Sequence, residues 1–229
     1  MISRFYDPSY SNFSPKAIEL IKLINSTKEK YVIYAKFLEY HKILRSYLDL
    51  AGINYVSITG EQSSKEKDNS KKKFYEDDSV RVILLTGAGK FGVNLQITNK
   101  LVFMDLPYTP SDVFQIIGRI FRTGQDKDVD IFMFYNKDSL EEDLFDNLYR
   151  KQTEIDTFFE QEKADIFEIL NEKGDKIDVK VSFIQRDYSK GPYYDDNLSE
   201  EDRLLIPEKE NIIIEEDYQY YDNILNVVL

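Results

Sequence analysis

The chain has 229 residues, of which 42% are hydrophobic, and it carries 42 acidic against 30 basic side chains, for a formal net charge of -12. It has no cysteine, which excludes disulfides and thiolate chemistry, and a single histidine, which argues against a histidine-ligated metal site or a Ser–His triad. No stretch approaches the roughly 20 apolar residues of a membrane span, and residues 1–13 lack the apolar region of a signal peptide, so we expect a cytoplasmic protein.

The charge is unevenly distributed along the chain. Residues 1–150 carry 21 basic and 21 acidic side chains, whereas residues 151–229 carry 9 and 21 and so hold the whole net charge of -12. The first part is therefore compatible with binding to nucleic acid, and the last part is a poor phosphate ligand.

Predicted helices and strands alternate along residues 14–159. Ser14 is typical of a helix cap and Pro15 of a first helical position, and an apolar stripe follows as far as Ile24. The remaining pattern predicts strands at 31–35, 55–58, 80–85, 101–104 and 129–135, and helices at 37–51, 63–75, 111–121 and 139–159. The strands are continuous apolar runs, which indicate an α/β fold with a parallel sheet covered by helices on both faces. Ligands of such sheets bind in the loops at the carboxyl ends of the strands.

The regular pattern weakens after about residue 160. Residues 176–184 are compatible with a strand, and residues 188–202 are polar and acidic, which is typical of a linker or a disordered stretch. We therefore divide the chain into a linker at 1–13, a lobe at 14–160 and an acidic extension at 161–229 that is partly disordered or docked on the lobe.

The segment Gln115-Ile-Ile-Gly-Arg-Ile-Phe-Arg-Thr-Gly-Gln125 carries the strongest chemical signal. Helical spacing places Gln115, Gly118, Arg119 and Arg122 on one face, and the isoleucines and Phe121 on the other. Two guanidinium groups that project together suit an arginine finger, which neutralises charge on a transferred phosphoryl group. The simpler interpretation is an amphipathic surface helix with two solvated arginines. His41, in the predicted helix 37–51, is expected to be an ordinary surface or half-buried residue.

A glycine-rich segment, Thr86-Gly-Ala-Gly-Lys-Phe-Gly-Val-Asn-Leu95, follows the third predicted strand. Glycines at the carboxyl end of a strand let backbone amides reach a phosphate. The segment is not a P-loop, because Phe91 follows Lys90 and Leu84 occupies the position of the first required glycine. No other segment of the sequence supplies a P-loop.

Together these segments resemble the second RecA-like lobe of superfamily 2 helicases, most closely in its Swi/Snf form. Residues 115–125 match the family's motif VI at every fixed position, and residues 85–95 resemble motif V. Residues 31–37, 59–60, 105–110 and 139–142 resemble further family segments in the correct order, so the resemblance covers about residues 14–160. It departs from the family at Lys90 in place of glycine, at Tyr108 in place of tryptophan and at Lys67 in place of arginine, which blurs the subfamily.

The resemblance implies roles for individual residues. Arg119 and Arg122 would be catalytic and face the triphosphate, Gln115 would couple the nucleotide to the position of the lobe, and Gly92 and Asn94 would lie near the sugar. The nucleic-acid ligands would be Lys36, Thr59 and Thr86, with Lys90 either joining them or remaining a solvated loop lysine. No metal ligand is expected. ATP with Mg would be bound mainly by the first lobe, which the sequence lacks and which we expect in cis or on another chain.

The function that this resemblance implies is half of an ATP-driven motor that moves on double-stranded DNA, inactive as an ATP hydrolase without its first lobe. Two alternatives remain at this point. The chain could be a non-catalytic, helicase-like interaction module, or the lobe of an RNA-acting or restriction-type superfamily 2 enzyme. The composition, rich in Lys, Ile, Asn and Tyr, would suit a phage or a low-GC bacterium.

Overall fold

One parallel sheet organises the part of the chain that a computed structural model describes, namely residues 14–87, 94–136, 140–141, 143–144, 147, 179–186 and 204. Its strand order is β2-β3-β1-β4-β5-β6, and all neighbouring strands are parallel. The strands are β1 (Tyr31–Tyr34), β2 (Asn54–Ile58), β3 (Val80–Leu85), β4 (Lys100–Phe103), β5 (Val129–Asn136) and β6 (Val179–Arg186).

The central strands are buried on both faces of the sheet. Tyr31 and Ile33 of β1 belong to one hydrophobic cluster, and the alternating residues Val32 and Tyr34 belong to the other. Successive side chains of a strand point to opposite faces, so a strand that is apolar at every position must be covered on both sides. The prediction of a parallel α/β sheet is therefore confirmed.

Four helices that are described over their whole length cover these two faces, and three of them begin at a residue whose side chain caps the helix. The helices are α1 (Pro15–Asn25), α2 (Leu38–Leu50), α3 (Ser64–Glu76) and α4 (Pro110–Ile117). Helices α1 and α2 pack in the cluster with Tyr31, whereas α3 and α4 pack in the cluster with Val32. The Ser14 hydroxyl accepts a hydrogen bond from the amide of Ala17, which confirms the predicted cap of α1.

Basic residues at the amino ends of the strands neutralise helix ends. The Arg81 guanidinium donates to the carbonyl oxygen of Ile24 in the last turn of α1 at 2.7 Å, and to those of Thr27 and Glu29 in the following loop at 2.8 and 3.2 Å. Lys30 Nζ donates to the carbonyls of Phe74 in the last turn of α3 and of its C-cap Asp77, at 2.5 and 2.9 Å. The carbonyls of Ile24 and Phe74 belong to the negative ends of the helix dipoles, so both cations stabilise the fold here.

Strand β6 belongs to the range that the sequence assigned to the acidic extension. It pairs with β5 at eight successive positions, from Val129↔Val179 to Asn136↔Arg186. The strand predicted at 176–184 is therefore confirmed, with its bounds shifted to Val179–Arg186, and this part of the extension docks on the sheet. The predicted linkers at 1–13 and 188–202 lie outside the described residues, and the boundary at residue 160 remains a proposal.

The predicted closing helix is described at 140–141, 143–144 and 147, where the backbone is helical. Glu141 attaches it to the sheet, because one carboxylate oxygen accepts from Lys16 Nζ at 2.5 Å and the other from the amide of Asn136 at 2.8 Å. Lys16 Nζ also donates to the Met104 carbonyl at 2.7 Å. One buried lysine thus joins α1, the end of β4 and this helix. Within the described residues, no helix is both long and apolar enough to cross a membrane.

Candidate functional site

The carboxyl ends of β1, β2 and β3 bring three predicted nucleic-acid ligands to one edge of the sheet. Lys36, Thr59 and Thr86 each follow one of these neighbouring strands, within two residues of its end. The Thr86 amide donates to the carbonyl of Ile58 at 3.2 Å, which joins the ends of β3 and β2. Thr59 and Thr86 are buried and Lys36 is half-buried, so Lys36 has the most accessible side chain of the three.

An exposed aromatic pair surrounds Lys36. Its Nζ lies 3.3 Å from the ring centroid of Tyr108 and 5.5 Å from that of Phe37, and the two residues are 53% and 52% exposed. Cation–π attraction holds the ammonium against these rings. The Lys36 amide donates to the Asp105 carboxylate at 2.9 Å, which ties this cluster to the end of β4. Phe37 and Tyr108 had no predicted site role. The feature of the sequence that could have indicated one is Tyr108, which stands where the family has tryptophan.

Asp105 is a carboxyl group in an unfavourable environment at this edge. Burial raises its pKa above the usual range, and the nearby Glu141 raises it further. The charge of Lys16 and the backbone amide of Lys36 oppose that increase. The carboxylate is therefore held by a few specific donors at the junction of β1, β4 and the helical residues around 141.

His41 is fully buried, which corrects the expectation of an ordinary surface or half-buried residue. It lies in the first turn of α2, and its Nε2–H donates to the carbonyls of Ala35 at 2.9 Å and Leu85 at 3.2 Å. These carbonyls stand at the ends of β1 and β3, directly before Lys36 and Thr86. The ring is therefore buried because its hydrogen-bond acceptors follow two strands that are distant in sequence. Burial lowers the pKa of the His41 ring below 6.5.

Acidification below about pH 6.5 is expected to destabilise the fold through His41. The unfolded chain then binds a proton at this ring, whereas the buried ring with its lowered pKa does not. The free energy of unfolding should fall by up to about 1.4 kcal/mol per pH unit until the folded-state pKa is reached. Urea unfolding of the chain and of a His41→Gln variant between about pH 7 and 5 measures the difference. Identical slopes for the two proteins would contradict this account.

The glycine-rich segment is described only in part. Lys90 and Gly92 fall within residues 88–93, outside the described residues, so their predicted contacts with nucleic acid and nucleotide stay predictions. The description resumes at Asn94. This residue lies beside residues 115–125, the arginine segment, which carries Arg119 and Arg122.

Helix α4 ends at Ile117, which corrects the prediction of a helix to Phe121 with both arginines on its face. The carbonyl of Arg119 accepts from the amide of Leu95 at 2.8 Å, so it does not continue the helical ladder. Residues 118–121 form tight turns instead. The predicted division is nevertheless confirmed: the apolar side chains of the segment are buried, and its polar ones, Gln115, Arg119 and Arg122, are exposed or half-buried.

The end of the glycine-rich segment and the arginine segment are joined side by side. In addition to the bond from Leu95, the Arg122 Nη1 donates to the Asn94 side-chain oxygen. Gln96 Nε2 donates to the Thr123 carbonyl at 3.3 Å. The structure therefore brings Asn94, Arg119 and Arg122 together, while Gln115 lies one turn earlier on the exposed side of α4.

The two arginines form an electropositive site with spare donor capacity. Burial lowers the pKa of Arg119, and the charge of Arg122 lowers it further. Within the described residues, the buried Arg119 Nε has no hydrogen-bond partner. An anion bound beside the two guanidinium groups would reduce the repulsion between them and could accept a hydrogen bond from Arg119 Nε. No group of three or more histidine, aspartate or glutamate residues in the described part could hold a metal ion.

Gln125, which ends the segment, is a structural residue for which no role was predicted. It is 2% exposed. Its Nε2 donates to the Thr98 carbonyl at 3.0 Å, and more weakly to those of Gln96 at 3.4 Å and Ile120 at 3.3 Å. Its Oε1 accepts from the amides of residues 126 and 127 at 3.1 Å each. Its side chain thus joins the arginine segment to residues 96–98. The feature of the sequence that could have indicated this role is a polar residue at a fixed position of the family motif, directly after Gly124.

Comparison with known proteins shows a family match over slightly less than half of the chain. Residues 15–124 match the family model of the helicase conserved C-terminal domain. The uncharacterized ATP-dependent helicase YqhH of Bacillus subtilis is 34% identical over 136 residues, which cover 59% of this chain and 24% of that protein. The ATP-dependent helicase FUN30 of Saccharomyces cerevisiae is 28% identical over 176 residues, which cover 76% of this chain and 14% of that protein. The chain thus spans about a quarter or less of the length of these relatives.

A solved structure supports the same assignment. The crystal structure of the C-terminal part of the Fun30 ATPase domain matches with a TM-score of 0.56 and 31% sequence identity, covering 59% of this chain and 45% of that chain. This likeness confirms the RecA-like fold of a helicase C-terminal lobe. Residues 15–124 therefore match a helicase conserved C-terminal domain, and ATP-dependent helicases of the Swi/Snf type are among the proteins to which the chain is similar.

Proposed function

We propose that this chain is the second lobe of an ATP-driven double-stranded DNA translocase, and that Arg119 and Arg122 act on the phosphoryl group in transfer. The observation that carries the proposal is the pairing of these two guanidinium groups, one with a buried, unpartnered Nε, beside Asn94. Holding two cations together costs electrostatic free energy. A scaffold has no physical need for that arrangement, whereas a site for a triphosphate does.

The mechanism assigned to the lobe is electrostatic. ATP with Mg, bound mainly by a first lobe, supplies the phosphoryl group. Arg122, oriented by Asn94, neutralises charge that develops on that group, and Arg119 offers its free donor beside it. Asn94 and Gly92 approach the sugar, and Gln115 passes the state of the nucleotide to α4. The first lobe comes from the same polypeptide or from another chain.

The carboxyl edge of β1, β2 and β3 is assigned to the DNA backbone. Lys36 supplies the accessible positive charge, Thr59 and Thr86 supply donors at the strand ends, and Lys90 joins them from the glycine-rich segment. Basic residues at the opposite edge, such as Arg81 and Lys30, are already bonded to helix carbonyls. The carboxyl edge is therefore favoured for phosphates over the amino edge.

DNA binding by the lobe is expected to be weak, independent of sequence and limited by the acidic tail. Few phosphates are neutralised, so the salt slope should be shallow, near -0.9 per phosphate contacted. Residues 187–229 contain twelve acidic and three basic residues, a net charge of -9. Deleting them should tighten duplex binding, most clearly at low salt, where screening is weak.

The measurement is a salt titration of duplex binding for the full chain and for residues 1–186. The truncation is placed after β6 because a cut at residue 160 would remove a strand that pairs at eight positions with β5. Circular dichroism checks that the shortened chain remains folded. If binding weakens in a folded truncation, the tail contributes DNA contacts and the charge argument is wrong.

A further inference from the structure

We propose that Tyr75 is a positioning residue for Arg122 and acts through Asn94. The Tyr75 hydroxyl donates a hydrogen bond to the Asn94 carbonyl at 2.9 Å. The side-chain oxygen of the same Asn94 accepts from Arg122 Nη1. One residue therefore links the phenol to the guanidinium. The geometric link stands without the proposed function, but its effect on catalysis rests on that function.

The position of the Tyr75 ring is fixed by its neighbour on α3. Phe74 is the buried residue of α3, and its side chain lies in the hydrophobic cluster that contains Val32. Tyr75 is half-buried and packs against the same cluster. The last turn of α3 is thereby anchored, while most of the helix is exposed. The hydroxyl that this turn presents to Asn94 therefore has a defined place.

Asn94 and the residue after it are each bonded to a different element. The hydrogen bond from Tyr75 restrains Asn94 from the side of α3. On the next residue, the Leu95 amide donates to the Arg119 carbonyl at 2.8 Å. The pair 94–95 thus contacts both arginine residues, and Tyr75 holds it from the side of α3.

The electrostatics of Tyr75 agree with this connection. Burial raises the pKa of its phenol, whereas the backbone amide of Ile97 and the positive charge of Arg122 lower it. The phenol is protonated at neutral pH, as an ordinary tyrosine is, so it can donate a hydrogen bond. Arg122 is thus close enough for its charge to affect the pKa of the Tyr75 phenol.

The first test uses the full 229-residue chain and needs no catalysis. In nitrogen-15 NMR of arginine side chains, the Arg122 signal is assigned by its loss in an Arg122→Lys variant. Tyr75→Phe removes only the hydroxyl and should shift that signal. The matched control is Tyr55→Phe, which removes a hydroxyl bonded to Asp49 at 3.3 Å and should leave the signal in place. An unchanged Arg122 signal in Tyr75→Phe overturns the proposal.

The second test uses the enzyme assembled with its first lobe. Tyr75→Phe should lower kcat about fivefold, the effect of one hydrogen bond, and leave KM for ATP unchanged. In an Arg122→Ala background it should have no further effect, because the two residues act in series. An equal loss in that background overturns the proposal. If Arg122→Ala itself leaves kcat unchanged, the arginine-finger function fails, while a shifted NMR signal still supports the positioning by Tyr75.

Discussion

Replacing Arg122 by alanine is expected to lower kcat of the assembled two-lobe enzyme by about 10³-fold or more, with a much smaller change in nucleotide affinity. The reason is that charge builds up on the phosphoryl group mainly in the transition state, so a cation directed there acts on kcat. The hydrogen bond to Asn94 holds the guanidinium before the reaction, so little reorganisation is needed. Steady-state ATPase kinetics with saturating DNA measure both parameters.

Two controls define this experiment. Arg45→Ala removes an arginine from α2, on the other face of the sheet, and should leave kcat unchanged. The 229-residue chain without the first lobe should hydrolyse no ATP, because its sequence contains no P-loop. An unchanged kcat in Arg122→Ala would assign this residue a structural role. Robust turnover by the isolated chain would refute the two-lobe interpretation.

Gln125→Ala is expected to lower the free energy of unfolding by about 3 kcal/mol. The change removes a buried amide that donates towards three carbonyls and accepts from two amides. Alanine leaves several of these groups without a partner in a site that water does not reach. Because the amide joins residues 96–98 to the arginine segment, the loss should also loosen Arg119 and Arg122. Urea denaturation measures the stability change.

A matched glutamine separates burial from residue type. Gln115 is exposed on α4, and Gln115→Ala should change the free energy of unfolding by no more than about 0.5 kcal/mol. A Gln125→Glu variant keeps the shape but directs a carboxylate at the three carbonyls, so it should be at least as unstable as the alanine variant. Equal stabilities for Gln115→Ala and Gln125→Ala would show that the contacts of Gln125 contribute little.

Much of the sheet could be predicted because its signal is local. Runs such as Tyr31–Tyr34 are apolar at each position, and only strands covered on both faces satisfy such runs. The cap at Ser14 and the capping box of Ser63 with Glu66 are likewise encoded within three residues. The burial of the apolar side chains in residues 115–121 could also be predicted from their spacing. These side chains remain buried although the residues after Ile117 form turns rather than helix.

The features that were missed depend on partners distant in sequence. After Ile117 the helix gives way to i→i+3 bonds from Arg119 to Ile116 and from Ile120 to Ile117, and the Arg119 carbonyl is bonded to Leu95 of another segment. His41 is buried because of carbonyls on two different strands. Gln125 was recognised as a fixed position, but its acceptors at 96 and 98 come from another loop. Periodicity and propensity describe neighbours along the chain and contain no information about such contacts.

Strand β6 also affects how a newly synthesised chain is exposed to aggregation. Residues 137–178 separate it from β5, against 104–128 between β4 and β5, and closing about 42 rather than about 25 residues costs only about 0.5 kcal/mol more. The delay is therefore one of time: β5 is translated 42 residues before the first residue of β6. Early segments fold first, so the outer edge of β5 stays unpaired during that interval. An open strand edge templates pairing between chains, and the arrival of β6 covers the edge of β5 while β6 itself becomes the edge strand.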